Sequence, residues 1–171
     1  TSGFVVNTGS GKDGITVDQK VTINSGTGVD TVTFALGSQN STITAGADSD
    51  VLDIKALVHN SGAAAQDTGV EILVTLTDAN AGDTIDFSAG TEDAETLGTA
   101  VSITASTLEG ALDQIAAGSG TTHFAWGQYN GNTYVVHNAD KGTGTDTALE
   151  NGDVVLALIG LYNLADSTTD T

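Results

Sequence analysis

The chain has 171 residues, with 22 Asp+Glu against 4 Lys+Arg and a formal net charge of −18. So large an acidic excess excludes nucleic acid and anionic membrane surfaces as partners, because both are held by basic residues. Cys and Pro are absent and aromatics make up 5% against 39% hydrophobic residues, which removes disulfides and thiolate metal sites and leaves Val, Ile, Leu and Ala to form the core.

The first sixty residues repeat a Gly-rich loop, one Asp and a short β-branched run. The copies are Thr8-Gly9-Ser10-Gly11-Lys12-Asp13-Gly14-Ile15-Thr16, Ser25-Gly26-Thr27-Gly28-Val29-Asp30-Thr31-Val32-Thr33 and Ala45-Gly46-Ala47-Asp48-Ser49-Asp50-Val51-Leu52-Asp53. Their aspartates stand 17 and 20 residues apart, close to the length of two nonapeptides and hence to one coil of a parallel β-roll. Lys20–Asn24 and Ser41–Thr44 lack the loop and read as the opposite wall. Ile15, Val32 and Leu52 are expected to point inward, with Thr16, Thr33 and Asp53 outward.

Residues 58 to 67 read as a loop, and a boundary is placed there, giving a β-roll over 1–60 and a β-rich cap over 61–171. Glu71–Leu76 reads as a strand. Gly82-Asp83-Thr84-Ile85-Asp86-Phe87 echoes the Asp–strand half of the repeat without its leading glycines, as a degenerate coil or a plain edge strand. Val101–Thr104 is a possible short strand. A helix is expected over about 106–117: Ser106 and Glu109 spell a capping box, Leu108, Ala111, Leu112, Ile115 and Ala116 keep helical spacing, and Gly118 is a left-handed stop. Asn130-Gly131 between β-rich arms predicts a type I′ hairpin over about 123–137. Asp153–Ile159 reads as a buried last strand, and the polar tail after Ala165 as frayed. The fold class is all-β (mainly β): a short parallel β-roll followed by a β-rich cap with one helix.

The repeated spelling has a chemical meaning. Glycine admits φ > 0 and lets a loop turn its carbonyls inward. Each loop then offers backbone oxygens and one carboxylate, and two stacked loops approach the six to eight oxygens, roughly, that Ca²⁺ accepts. The candidate ligands are Asp13, Asp30, Asp48 and Asp50 with the carbonyls of Gly9, Gly11, Gly26, Gly28 and Gly46. A second acidic loop carries Asp140, Asp146 and Asp153. Against calcium stands a Gly/Thr-rich stack in which the aspartates only cap turns, or a solvated acidic surface.

These residues resemble the RTX family, the calcium-binding nonapeptide repeats of bacterial proteins exported by type I secretion. The family pattern is Gly-Gly-x-Gly-x-Asp-x-(apolar)-x, met here by Gly9, Gly11, Asp13 and Ile15, by Gly26, Gly28, Asp30 and Val32, and by Gly46, Asp50 and Leu52. The first Gly is replaced by Thr8, Ser25 and Ala45, Asp48 stands in another Gly slot, and the loops occupy one wall only. Residues 100–165 are similar to the last hairpin and strand of RTX-type surface-layer proteins and adhesins. The resemblance implies a calcium-dependent structural module of a secreted surface-layer-like protein, self-associating into a lattice or filament. It also implies an uncleaved C-terminal signal for the type I machinery.

That signal would account for the lack of a recognisable N-terminal one, with Thr1 the start of a fragment or processed product. No apolar run is long enough to span a membrane. An enzymatic role is not expected: no Gly-x-Ser-x-Gly or His-Glu-x-x-His occurs, and His123 and His137 face each other at most across the hairpin. The rivals are the C-terminal module of a secreted protease or lipase, and a carbohydrate-binding adhesin using Trp126, Tyr129 and Tyr134.

Overall fold

The computed structural model describes residues 3–35, 40–59, 74–87, 97–119, 123–138, 148–149 and 153–165. The fold is mainly β, with two sheets. Eight strands alternate between them in chain order: β1 Phe4–Asn7, β2 Gly14–Val17, β3 Val21–Asn24, β4 Thr31–Phe34, β5 Ser41–Thr44, β6 Val51–Asp53, β7 Val74–Leu76 and β8 Thr84–Asp86. Odd-numbered strands join one sheet and even-numbered strands the other, and every pairing among the eight is parallel. Each repeat is thus a strand of the larger sheet, the Gly/Asp loop and a strand of the smaller sheet.

Register follows from the alternation of side chains. In β3 the pattern is buried at Val21 and Ile23 and exposed between them; in β4 it is buried at Val32 and Phe34. Slipping by one residue would turn these aliphatics outward, so one register is strongly preferred. Stacking in register makes aliphatic rows: Val6, Ile23, Ile43 and Leu76 in the larger sheet, and Ile15, Val32, Leu52 and Ile85 in the smaller. The rows meet in one core cluster. Ile23, Ile43, Leu52 and Leu76 are fully buried there, and each contributes about 2 kcal/mol of burial.

Gly82–Phe87 resolves as part of a fourth repeat, because β8 pairs with β6 in register. The parallel ladders therefore run beyond residue 60. Between the third and fourth repeats lies a short helix, α1 Lys55–His59, which the sequence reading did not anticipate. Residues 60–73 of the expected loop and strand lie outside the described residues.

The larger sheet continues past β7 with β11 Val154–Leu158, β10 Asn132–His137 and β9 Phe124–Tyr129. β11 is parallel to β7 and antiparallel to β10. The hairpin turns at Asn130 (φ 49°) and Gly131 (φ 81°), the two positive φ values a type I′ turn needs. Val101 makes only an isolated bridge to Gly127, not a strand. Helix α2, Leu108–Ala117, packs Leu112, Ile115 and Ala116 against Ala125, Tyr134, Val136 and Val155 of these strands.

Two details of α2 differ from the sequence reading. Its cap is Thr107, whose hydroxyl accepts from Gly110 N (3.2 Å), not Ser106 with Glu109. Gly118 is right-handed (φ −76°); a Cβ there would overlap Val101 Cγ2, so close approach rather than a left-handed turn requires glycine.

Candidate functional site

The first two predicted loops share one backbone conformation, and the third shares it at its leading glycine but not at Asp48. Gly9, Gly26 and Gly46 have φ of 100°, 101° and 112°, and Gly11 and Gly28 have 113° and 114°. A Cβ on Gly26 would overlap the carbonyl oxygen of Gly9, and one on Gly28 that of Gly11. Glycine is therefore required twice over, for its φ and for the backbone contact between successive loops.

The contact is hydrogen-bonded. Thr27 N donates to Gly9 O (3.0 Å) and Gly11 N to Thr27 O (2.8 Å). Some of the glycine carbonyls named as ligands thus run along the stack and already accept a bond. Each such oxygen keeps a second lone pair.

The aspartates form a ladder. Asp13 N donates to Asp30 Oδ1 (2.9 Å), Asp30 N to Asp50 Oδ1 (2.8 Å) and Asp50 N to Asp83 Oδ1 (3.1 Å). The carboxylates of Asp30, Asp50 and Asp83 cap the main chain of the preceding repeat, as the turn-capping reading requires, and in Asp30 and Asp50 this leaves the second oxygen unused. Oδ2 of Asp13, Asp30 and Asp50 is buried and has no hydrogen-bond partner among the described residues. Asp30 is 0% and Asp50 2% exposed. Burial pushes the Asp50 carboxyl above its ordinary value; the charges of Asp83, Asp30 and Asp48 add to this, and the bond from Asp30 N opposes it.

The departures from the family pattern have structural work. Thr8 Oγ1 donates to Ser25 O (2.7 Å) and Ser25 Oγ to Ala45 O (2.6 Å), so hydroxyls in the first Gly slot tie successive repeats. Asp48, in the slot of Gly11 and Gly28, is exposed and accepts from Gly28 N (2.9 Å). The fourth loop was not legible as a loop. It places Asp78 beneath the main chain of the third, accepting from Ala45 N and Gly46 N (both 2.8 Å). Asn80 Nδ2 donates to Gly46 O (3.1 Å), and Asp83 Oδ2 accepts from Asn80 N (2.9 Å). The signal was an offset of 33 residues from the third copy, visible only once Asp50 and Asp83 are aligned.

A second acidic pair is partly compensated by a lysine of the protein itself. Asp53 and Asp86 lie opposite each other on β6 and β8, and Lys55 Nζ lies 2.6 Å from Asp86 Oδ2 and 4.0 Å from Asp53 Oδ2.

Among the described residues, no three His, Cys, Asp or Glu side chains converge on one point as a metal cluster; the ladder is a row, one carboxylate per repeat. Its donor set is oxygen only, the choice of a hard cation such as Ca²⁺. Asp13, Asp30 and Asp50 fit such an ion on one observation, the orphaned buried oxygen each presents to the row. Asp140 and Asp146 lie outside the described residues, while Asp153 is buried just before β11. The rings of His123 and His137 stack at 5.7 Å. Trp126 and Tyr134 are buried, with Trp126 Nε1 donating to Gly98 O (2.7 Å), so these two aromatics serve packing. No family model matches the chain, and no curated protein matches it.

Proposed function

We propose that this chain is a calcium-stabilised, non-catalytic structural module of a secreted bacterial surface protein, built on a short parallel β-roll of RTX type. The observation that carries the reading is the row of buried, unpartnered Oδ2 atoms on Asp13, Asp30 and Asp50. Buried carboxylate oxygens are costly unless paired, and the chain has 4 Lys+Arg for 22 Asp+Glu. Asp13, Asp30, Asp48 and Asp50, with free lone pairs of the loop glycine carbonyls, would hold the ion. Ca²⁺ supplies charge and oxygen coordination to the row when bound.

The protein's own residues account for the rest. Without a counter-charge the aspartates repel one another along the stack, and ordering the glycine loops costs conformational entropy. Folding is then coupled to ion availability, so the chain stays unfolded and exportable where calcium is scarce. It folds outside the cell, where extracellular modules bind at about 10⁻⁴–10⁻³ M. The resemblance over residues 100–165 supports a C-terminal region that caps the roll, addresses the chain to the type I machinery and leaves acidic faces for self-association at the cell surface.

Far-ultraviolet circular dichroism and thermal melts in chelator and in millimolar calcium test this. The expected result is a calcium-dependent rise in melting temperature, lost on changing Asp30 and Asp50 together to Asn. Identical melts in the two buffers would remove the proposal.

A further inference from the structure

The two ends of the repeat stack are finished differently. At the C-terminal end the edge of β7 is paired with β11, and β10 and β9 extend the sheet further. At the N-terminal end β1 and β2 are the outermost strands of both sheets, and Phe4 and Val5 are 63% and 67% exposed. An open strand edge of this kind is usually covered, shortened or charged.

The first loop keeps the features that, in the later loops, meet the loop before it. At Gly26, Gly28 and Gly46 the space a Cβ would fill is occupied by a carbonyl of the preceding loop. At Gly9 and Gly11 the same space is open, yet both positions keep glycine and the same positive φ. Asp30, Asp50 and Asp83 each accept the main-chain N–H of the preceding aspartate through Oδ1. Asp13 has the same place in its loop and, among the described residues, its carboxylate accepts no such bond. The first repeat is spelled as an interior one.

We infer that the N-terminal face formed by Phe4, Val5, Gly9, Gly11 and Asp13 docks a further parallel repeat of the same Gly-x-Gly-x-Asp spelling. Its loop carbonyls seat on Gly9 and Gly11, and its aspartate N–H donates to Asp13 Oδ1. The occupant is a repeat in the same direction rather than a second copy of this chain. A head-to-tail copy would have to offer β7 and β8 together, and β7 is covered by β11. A head-to-head copy would run antiparallel and could not reproduce the parallel ladder of Phe4 on Val21. The junction is made of main-chain and carboxylate hydrogen bonds, so it stands whether or not the aspartate row binds an ion.

Duplicating residues 4–20 directly ahead of Phe4 tests this, since it reproduces the 17-residue step from Asp13 to Asp30. Melts in millimolar calcium keep the outcome independent of the ion question. The longer chain is expected to melt several degrees above the parent. Gly11→Ala, at the original position, is expected to lower the melting temperature more in the longer chain than in the parent, where the Cβ meets nothing. An unchanged or lower melting temperature, or an equal effect of Gly11→Ala in both chains, overturns the inference. So does a concentration-dependent dimer of the parent that the duplication abolishes, which would assign the face to a second copy.

Discussion

Replacing Asp50 with Asn should change sign with the cation. Asn keeps a carbonyl oxygen for the bond from Asp30 N (2.8 Å) and removes the charge from a side chain 2% exposed. Its neighbours in the ladder, Asp30 and Asp83, stand just before β4 and β8, the strands paired with β6, roughly 4.8 Å away. Two ionised carboxylates at that spacing repel by about 3 kcal/mol at an effective dielectric of 20. The bond from Asp30 N, stronger to a charged oxygen than to an amide one, offsets part of this. A net gain of about 1–2 kcal/mol in chelator at neutral pH is expected after that discount.

With calcium the balance reverses. One ion at about 10 mM, bound at about 10⁻⁴–10⁻³ M, adds about 1.4–2.7 kcal/mol to the parent. A weakened site forfeits most of that. Urea unfolding followed by circular dichroism should show Asp50→Asn unfolding later than the parent in chelator and gaining less from calcium. If the variant is less stable in chelator, or gains as much from calcium as the parent, the electrostatic account of the row is wrong.

The same group sets a pH dependence. A carboxyl raised above its ordinary 3.8 on folding binds its proton more tightly in the folded chain, so its contribution is complete below 3.8 and lost as pH rises through the raised value. In chelator, the parent's stability relative to Asp50→Asn should fall as pH climbs out of the acid range; a flat difference would contradict the shift. Gly28→Ala forces a Cβ onto Gly11 O at φ 114°, whereas Gly9→Ala meets nothing at φ 100°. Melts should show Gly9→Ala costing about 1–2 kcal/mol and Gly28→Ala at least twice that. Ser41 Oγ accepts from Val21 N (3.1 Å) in the core, so Ser41→Ala should cost about 1–3 kcal/mol in denaturant unfolding by stranding that N–H.

The alternation of strands between two sheets was legible because each loop ends in an aspartate followed by period-two aliphatics, and both signals are local. The fourth repeat was half legible. Asp83 and Ile85 keep the pattern, but Asp78 and Asn80 reach the main chain of Ala45 and Gly46 with side chains, and no glycine marks them. The hydroxyls of Thr8 and Ser25 looked like departures from the repeat. Their purpose lies in the neighbouring repeat, 17 to 20 residues away, where a linear reading does not look. The helix was found from its apolar spacing, yet its cap fell one residue later: Ser106 and Thr107 are both capping types, and only the hydrogen bond to Gly110 separates them. In the aspartate row the residue types were legible, but the division of the Asp30 and Asp50 carboxylates into one bonded and one stranded oxygen was not, because it depends on three-dimensional register.

The step from Asp50 to Asp83 spans 33 residues where earlier steps span 17 and 20, and β6 and β8 nevertheless pair without a slip. Registration is enforced by the paired strands and not by tether length. Closing the longer excursion adds only about 0.5 kcal/mol of chain entropy. The pairing of β6 with β8 should therefore tolerate a longer tether still: extra polypeptide inserted between the two strands adds little to the closure cost, while their hydrogen bonds keep the register.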